Sequence, residues 1–136
     1  MYERSFQLEI ITPEKIVLQD QAASLSAPGS LGGFQVLYNH APLLSKLEIG
    51  ELKVKDRDGN DTSLAVSGGF VEVRNNRVVV LVETAEKPGE IDVERAKAAQ
   101  ARAYKRLHEK FENIDHERAR SALMRAMNRL RIASKT

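Results

Sequence analysis

Cysteine is absent from the 136 residues, which excludes disulfides and thiolate chemistry. Histidine is scarce. His40, His108 and His116 include no two at the spacing of metal ligands. No apolar run approaches the roughly 20 residues that a membrane-spanning helix needs, so no direct membrane insertion is expected. The opening MYERSFQLEI lacks the basic-then-apolar layout of a signal peptide. There is no glycine-rich phosphate loop, no metal constellation and no nucleophile–base pair, and so no sign of an enzyme. These absences suit a cytoplasmic protein that would reach a membrane only through a partner.

The composition is that of a soluble globular protein, with 42% hydrophobic and 29% charged residues. The length allows one domain, or a small domain with an appendage. The net charge of +2 conceals an asymmetry. Residues 1–88 carry 9 basic and 12 acidic side chains, whereas residues 89–136 carry 12 and 7. The two parts therefore face different partners, or one part docks on something acidic.

Residues 1–87 read as short strands. Phe6, Leu8 and Ile10 alternate with polar residues, the period of a half-buried strand. Thr12-Pro13-Glu14 turns the chain into Lys15–Gln19. Glu51–Lys55 alternates again and ends at Asp56-Arg57-Asp58-Gly59-Asn60, a strong turn signal. Thr62–Ser67 and Phe70–Arg74 flank Gly68-Gly69, and Asn75-Asn76 forms a hairpin with Val78–Val82. Many short strands with no long helix among them predict an antiparallel β-sandwich or flattened barrel. At Pro88-Gly89 the period changes from 2 to 3.6. The second domain, 88–136, is predicted to be a two-helix antiparallel hairpin.

That second domain repeats itself. Ile91–Leu107 reads IDVERAKAAQARAYKRL and Ile114–Leu130 reads IDHERARSALMRAMNRL, identical at ten of seventeen positions at an offset of 23. Asp92 and Asp115 are natural N-caps. The apolar face of the first helix is Val93, Ala96, Ala99, Ala103 and Leu107. That of the second is Ala119, Ala122, Leu123, Ala126, Met127 and Leu130. A seam made largely of alanine buries little area, with each layer contributing far less than the about 1.5–3 kcal/mol of a buried leucine. Such a hairpin should need the β domain, a ligand or a larger partner to stay shut.

Beside each seam runs a stripe of arginines: Arg95, Arg102 and Arg106, then Arg118, Arg125 and Arg129. Like charges at i, i+4, as in Arg102/Arg106 and Arg125/Arg129, destabilise a helix. If the hairpin closes, guanidinium groups from both helices can converge on an anion, and their forks suit phosphate oxygens. A solvated basic face is the plainer alternative. A nucleic-acid face is another, but the stretch has only Tyr104 and Phe111 as aromatics and no recognised nucleic-acid motif.

With both halves read, the chain resembles the ε subunit of the bacterial F-type ATP synthase over nearly its whole length. GFQVLYNHAPLL at Gly33–Leu44, SGGFVEV at Ser67–Val73 and AMNRL at Ala126–Leu130 are each similar to family segments. Ile91–Leu107 fits the pattern I-D-x-x-R-A-x-x-A-x-x-R-A-x-x-R-L, which in the family marks members that bind ATP. The resemblance implies a sandwich of about ten strands followed by the two helices. It implies a non-catalytic place in the central stalk, coupling proton-driven rotation to ATP synthesis, with the γ subunit and the c-subunit ring as partners. It further implies a mobile helical domain that extends into the α/β catalytic head and inhibits ATP hydrolysis, and a peripheral location on the cytoplasmic side of the cell membrane. ATP is the implied regulatory ligand, with or without Mg²⁺. Carried over by position, its site comprises Glu86, Ile91, Asp92, Arg95, Arg102, Arg125 and Arg129. Two segments depart from the family. Tyr38-Asn39 stand where it has Pro-Gly or Pro-Asn before the histidine, and Leu31-Gly32-Gly33 occupy a loop that often carries Glu near the c-ring contact. His40 reads as a loop-contact residue, since no nucleophile or acid accompanies it. An autonomous ATP-sensing module outside the synthase is the alternative function.

Overall fold

The computed structural model describes residues 4–109 and 115–135. Phe111, Ile114 and most of the link between the two helical copies lie outside them. The chain divides into two compact units, residues 1–86 and 87–136.

Among its described residues the first unit has seven strands: β1 (Phe6–Ile11), β2 (Ile16–Ala27), β3 (Phe34–Leu37), β4 (Leu43–Asp56), β5 (Asp61–Arg74), β6 (Arg77–Val82) and β7 (Ala85–Glu86). Their number differs from the ten expected because three strands are long: β2 and β5 change partners midway, and β4 stays beside β5 throughout while β2 joins only its second half. The first half of β2 pairs with β1 and the second with β3 and β4. Leu43–Leu47 of β4 runs beside Val73–Gly69 of β5, and Ile49–Lys55 beside Ser67–Asp61. On its other edge β5 meets β7 through Ala65 and Val66, then β6 through Gly69–Arg74. Counted by halves, β2, β4 and β5 raise seven strands to ten. The order β1-β6-β5-β4-β2 closes on itself through a β1–β2 pairing, so the sandwich is also a ring. Every ring pairing is antiparallel except β1–β6.

Gly68-Gly69 does not separate two strands, as the sequence suggested. It lies within β5 where the strand changes partners, with φ of +82° and +148°. A side chain at Gly69 would run into the Leu81 carbonyl of β6, so the pair allows a close approach there. Asn75 and Asn76, at φ +51° and +59°, form the tight turn that suits two-residue hairpins. Asn76 then fastens its surroundings. Its Nδ2 donates to the Ser5 carbonyl at 2.9 Å, and its Oδ1 accepts from the Asn39 amide at 2.8 Å.

The alternation seen in β1 is the core. Phe6, Leu8 and Ile10 are fully buried, along with Leu25, Leu47, Leu52, Leu64, Val71 and Val80. The Asp56–Asn60 turn is held by its first residue. Asp56 Oδ1 accepts from the amides of Asp58 and Asn60, both at 2.9 Å. The Asn60 amide is the main reason that this exposed carboxyl lies below its ordinary pKa.

The second unit opens with a 3-10 turn, Pro88–Glu90, followed by α1 (Val93–Leu107) and α2 (His116–Ala133). The two helices pack on each other as an antiparallel hairpin, and α2 also meets the turn before α1.

Candidate functional site

The two helical copies begin identically. Asp92 takes φ −79°, ψ 97°, and Asp115 takes φ −80°, ψ 96°. Each aspartate Oδ1 accepts from the amide three residues on: Arg95 at 3.0 Å and Arg118 at 3.1 Å. Asp92 thus orients Arg95 through its main chain, and one carboxylate oxygen is engaged as a helix cap. The next acid in each copy is drawn to the other flank. Glu94 pairs with Lys97 at 3.7 Å, and Glu117 with Arg120 at 3.5 Å.

The seam is alanine, with Ala96, Ala103, Ala119 and Ala126 all buried. Its margins differ from the expected faces. Val93 is 38% and Met127 50% exposed, whereas Asn128 and Ile132 are buried. At about 100° per residue, Asn128 and Ile132 lie about 160° and 120° around α2 from Ala126, so they form a second buried side that the alanine periodicity did not mark. Asn128 Oδ1 accepts from an Arg131 guanidinium nitrogen at 2.8 Å, which supplies the partner that a buried amide requires.

At about 100° per residue, Arg95, Arg102 and Arg106 fall within about 40° of one another, roughly a quarter-turn from Ala96 and Ala103. Arg95, Arg102, Arg106 and Arg118 are exposed, and Arg125 and Arg129 are half-buried. Arg129 has an interaction within the fold. Among the described residues no carboxylate pairs with Arg95, Arg102 or Arg125. Exposed guanidinium groups without acids are a donor set suited to phosphate oxygens. Ile91 is buried and closes the 3-10 turn, its amide donating to the Pro88 carbonyl at 3.3 Å. Glu86 belongs to the first unit, half-buried in β7 opposite Ala65.

Elsewhere, the loop histidine makes a local contact: His40 Nδ1 donates to the Ala41 carbonyl at 2.6 Å. Asn39 beside it is left-handed at φ +58°, a conformation that asparagine tolerates. Leu31 is fully exposed between β2 and β3. Phe70 and Leu81 are exposed cross-strand partners on β5 and β6. Among the described residues no group of His, Asp and Glu could hold a metal ion. No helix there is long and apolar enough to cross a membrane.

Comparison with known proteins covers both units. Residues 5–88 match the β-sandwich domain of the ATP synthase delta/epsilon chain, and residues 90–134 match its long α-helix domain. The ATP synthase epsilon chain of Syntrophomonas wolfei is 48% identical over 135 residues, covering 99% of this chain and 98% of the relative. That of Brevibacillus brevis is 47% identical over 104 residues, 76% of this chain and 79% of the relative. A chain in a cryo-EM structure of the Euglena gracilis mitochondrial ATP synthase has the same fold. It superposes with a TM-score of 0.84 at 22% identity, over 100% of this chain and 84% of the other. The chain belongs to the ATP synthase delta/epsilon chain family, as a non-catalytic subunit of the epsilon type.

Proposed function

We propose that this subunit works in the central stalk, binding the γ subunit and the c-subunit ring through its β unit and restraining ATP hydrolysis through its helices. The supporting observation is the alanine-seamed hairpin flanked by arginine stripes, in a chain that matches the Syntrophomonas wolfei epsilon chain over 99% of its length. The synthase named with the Euglena structure includes F1 and the c-ring. Exposed Leu31 suits an apolar loop contact with the ring, and exposed Phe70 and Leu81 suit an apolar face for γ. As part of the complex, the subunit lies peripherally on the cytoplasmic side of the membrane.

The hairpin is the regulatory part. Four buried alanines lose little when separated. ATP, with or without Mg²⁺, binds the closed form through Arg95, Arg102, Arg125 and Arg129, with Asp92 and Ile91 completing the site within the helical unit. A ligand that binds only the closed form stabilises it in proportion to ligand concentration. When ATP is scarce the helices separate, and their basic surface meets an acidic surface of the α/β head. The decisive measurement is ATP hydrolysis by the reconstituted synthase, with intact subunit, with D92A/R95A and with residues from Glu90 onward deleted. Deletion should raise hydrolysis, and the double substitution should lower it at ATP concentrations that keep the intact hairpin closed. Unchanged hydrolysis on deletion excludes inhibition by the helices. Failure to co-purify with γ excludes the stalk and favours an autonomous ATP sensor.

A further inference from the structure

The proposed ATP site leaves Arg106 and Arg118 without a role. They are the repeat-related twins of Arg129 and Arg95, just as Arg125 is the twin of Arg102. The repeat also extends upstream: Glu86-Lys87 and Glu109-Lys110 stand at the same offset of 23. Ile91, Asp92, Arg95 and Arg102 of the proposed site therefore each have a counterpart of the same type downstream, as does Glu86, and Arg125 and Arg129 are themselves the counterparts of Arg102 and Arg106.

The structure carries this equivalence from letters to geometry. The two N-caps share their backbone angles to within 1°, and their cap hydrogen bonds are 3.0 and 3.1 Å. The buried alanines are twins as well, Ala96 with Ala119 and Ala103 with Ala126. Antiparallel helices that pack through equivalent faces are related by a pseudo-twofold axis perpendicular to the plane of the pair. That operation keeps a stripe on the same side of the plane while it exchanges the helices and reverses their direction. Both arginine stripes therefore lie on one face of the hairpin. Arg102 and Arg125 are nearest the axis, Arg95 and Arg129 mark one end, and Arg106 and Arg118 mark the other.

Resting on the reading of the first end as an ATP site, we propose that Arg106 and Arg118, with Arg102 and Arg125 shared, form a second polyphosphate-binding site at the opposite end of this face. Its ligand is a chain of phosphates, free or carried by a nucleotide. Arg106 and Arg118 are exposed, and among the described residues neither is paired with a carboxylate. An anion there relieves the Arg102/Arg106 repulsion along α1 and bridges the C-terminal half of α1 to the first turn of α2. Asp115 is engaged in the cap and holds the start of that turn in place.

The test is calorimetric titration of the full chain with ATP and, separately, with inorganic tripolyphosphate. Three proteins are compared: wild type, R106A/R118A and D92A/R95A. Circular dichroism of each protein, free and with ligand, separates loss of helix, which removal of the Asp92 cap promotes in D92A/R95A, from loss of phosphate contacts. The expected result with tripolyphosphate is two binding events in wild type. R106A/R118A should weaken one at least tenfold and leave the other, and D92A/R95A should do the reverse. If ATP also fills both sites, the second accepts nucleotides; if only tripolyphosphate does, it reads phosphates alone. A single event, abolished by D92A/R95A and untouched by R106A/R118A, overturns the second site and leaves the first standing. Identical titrations for all three proteins overturn both.

Discussion

The β unit and the helical unit draw on different sources of stability. The first buries Phe6, Leu8, Ile10, Leu25, Leu52 and Leu64 completely or nearly so, inside a closed ring of strands. Among its described residues the second buries four alanines, with Ile91, Ile132 and one amide, Asn128, as its larger contributions. Per helix turn, the seam removes a fraction of the apolar area that a β layer removes. One chain thus joins a body that resists opening to one whose opening is cheap. The contrast follows directly from which residues occupy the inward positions.

The sharpest way to break that contrast is to hollow the β core. Leu52→Ala or Leu64→Ala should cost about 2–5 kcal/mol, read as a large drop in the urea midpoint. A cost near zero would mean that the ring is not the stable body. Enlarging the seam should matter less. Ala126→Leu, at a site 1% exposed, should cost about 1–3 kcal/mol through overpacking. Amide exchange should then speed up in α1 and α2 while β1 and β6 keep their protection. Removing a cap should have a smaller effect still. Asp92→Ala and Asp115→Ala should each cost about 1 kcal/mol. Their matching geometry predicts matching losses of helix by circular dichroism, and a twofold disparity would show that the repeat is not energetically equal. The least effect belongs to a turn in the β unit. The Asp56 carboxyl is held below its ordinary 3.8, chiefly by the Asn60 amide. The turn's contribution is therefore present above 3.8 and is lost as the pH falls below it through the folded value. An acid titration followed by NMR at Gly59 and Asn60 should show this local change, and Asp56→Asn should remove it.

Legibility in the sequence follows the strength of local demands. Asn75-Asn76 could be read as a turn because two successive left-handed residues are needed there, and few side chains accept that conformation. Phe6, Leu8 and Ile10 could be read as core because alternation leaves no other face for them. The lengths of β2, β4 and β5 could not be read. A glycine pair looks like a break, and only the neighbouring strand shows that Gly69 is a close approach within a continuous strand. In the helices, the Ala96/Ala103 and Ala119/Ala126 centres were visible, but burial of Asn128 and Ile132 was not, since both lie on a side of α2 well away from the alanine stripe. At the site, the arginine stripes and the capping aspartates were legible from spacing. That Asp92 orients Arg95 by its amide was a matter of coordinates, as was the interaction already held by Arg129.

Ring closure has a mechanical meaning as well as a thermodynamic one. Each of β1, β2, β4, β5 and β6 has a neighbour on both sides, so none of these five can be peeled away one hydrogen bond at a time. A torque applied to one strand is passed to two others and borne in shear by whole ladders at once. The β unit is built to carry load across its ladders rather than to unzip.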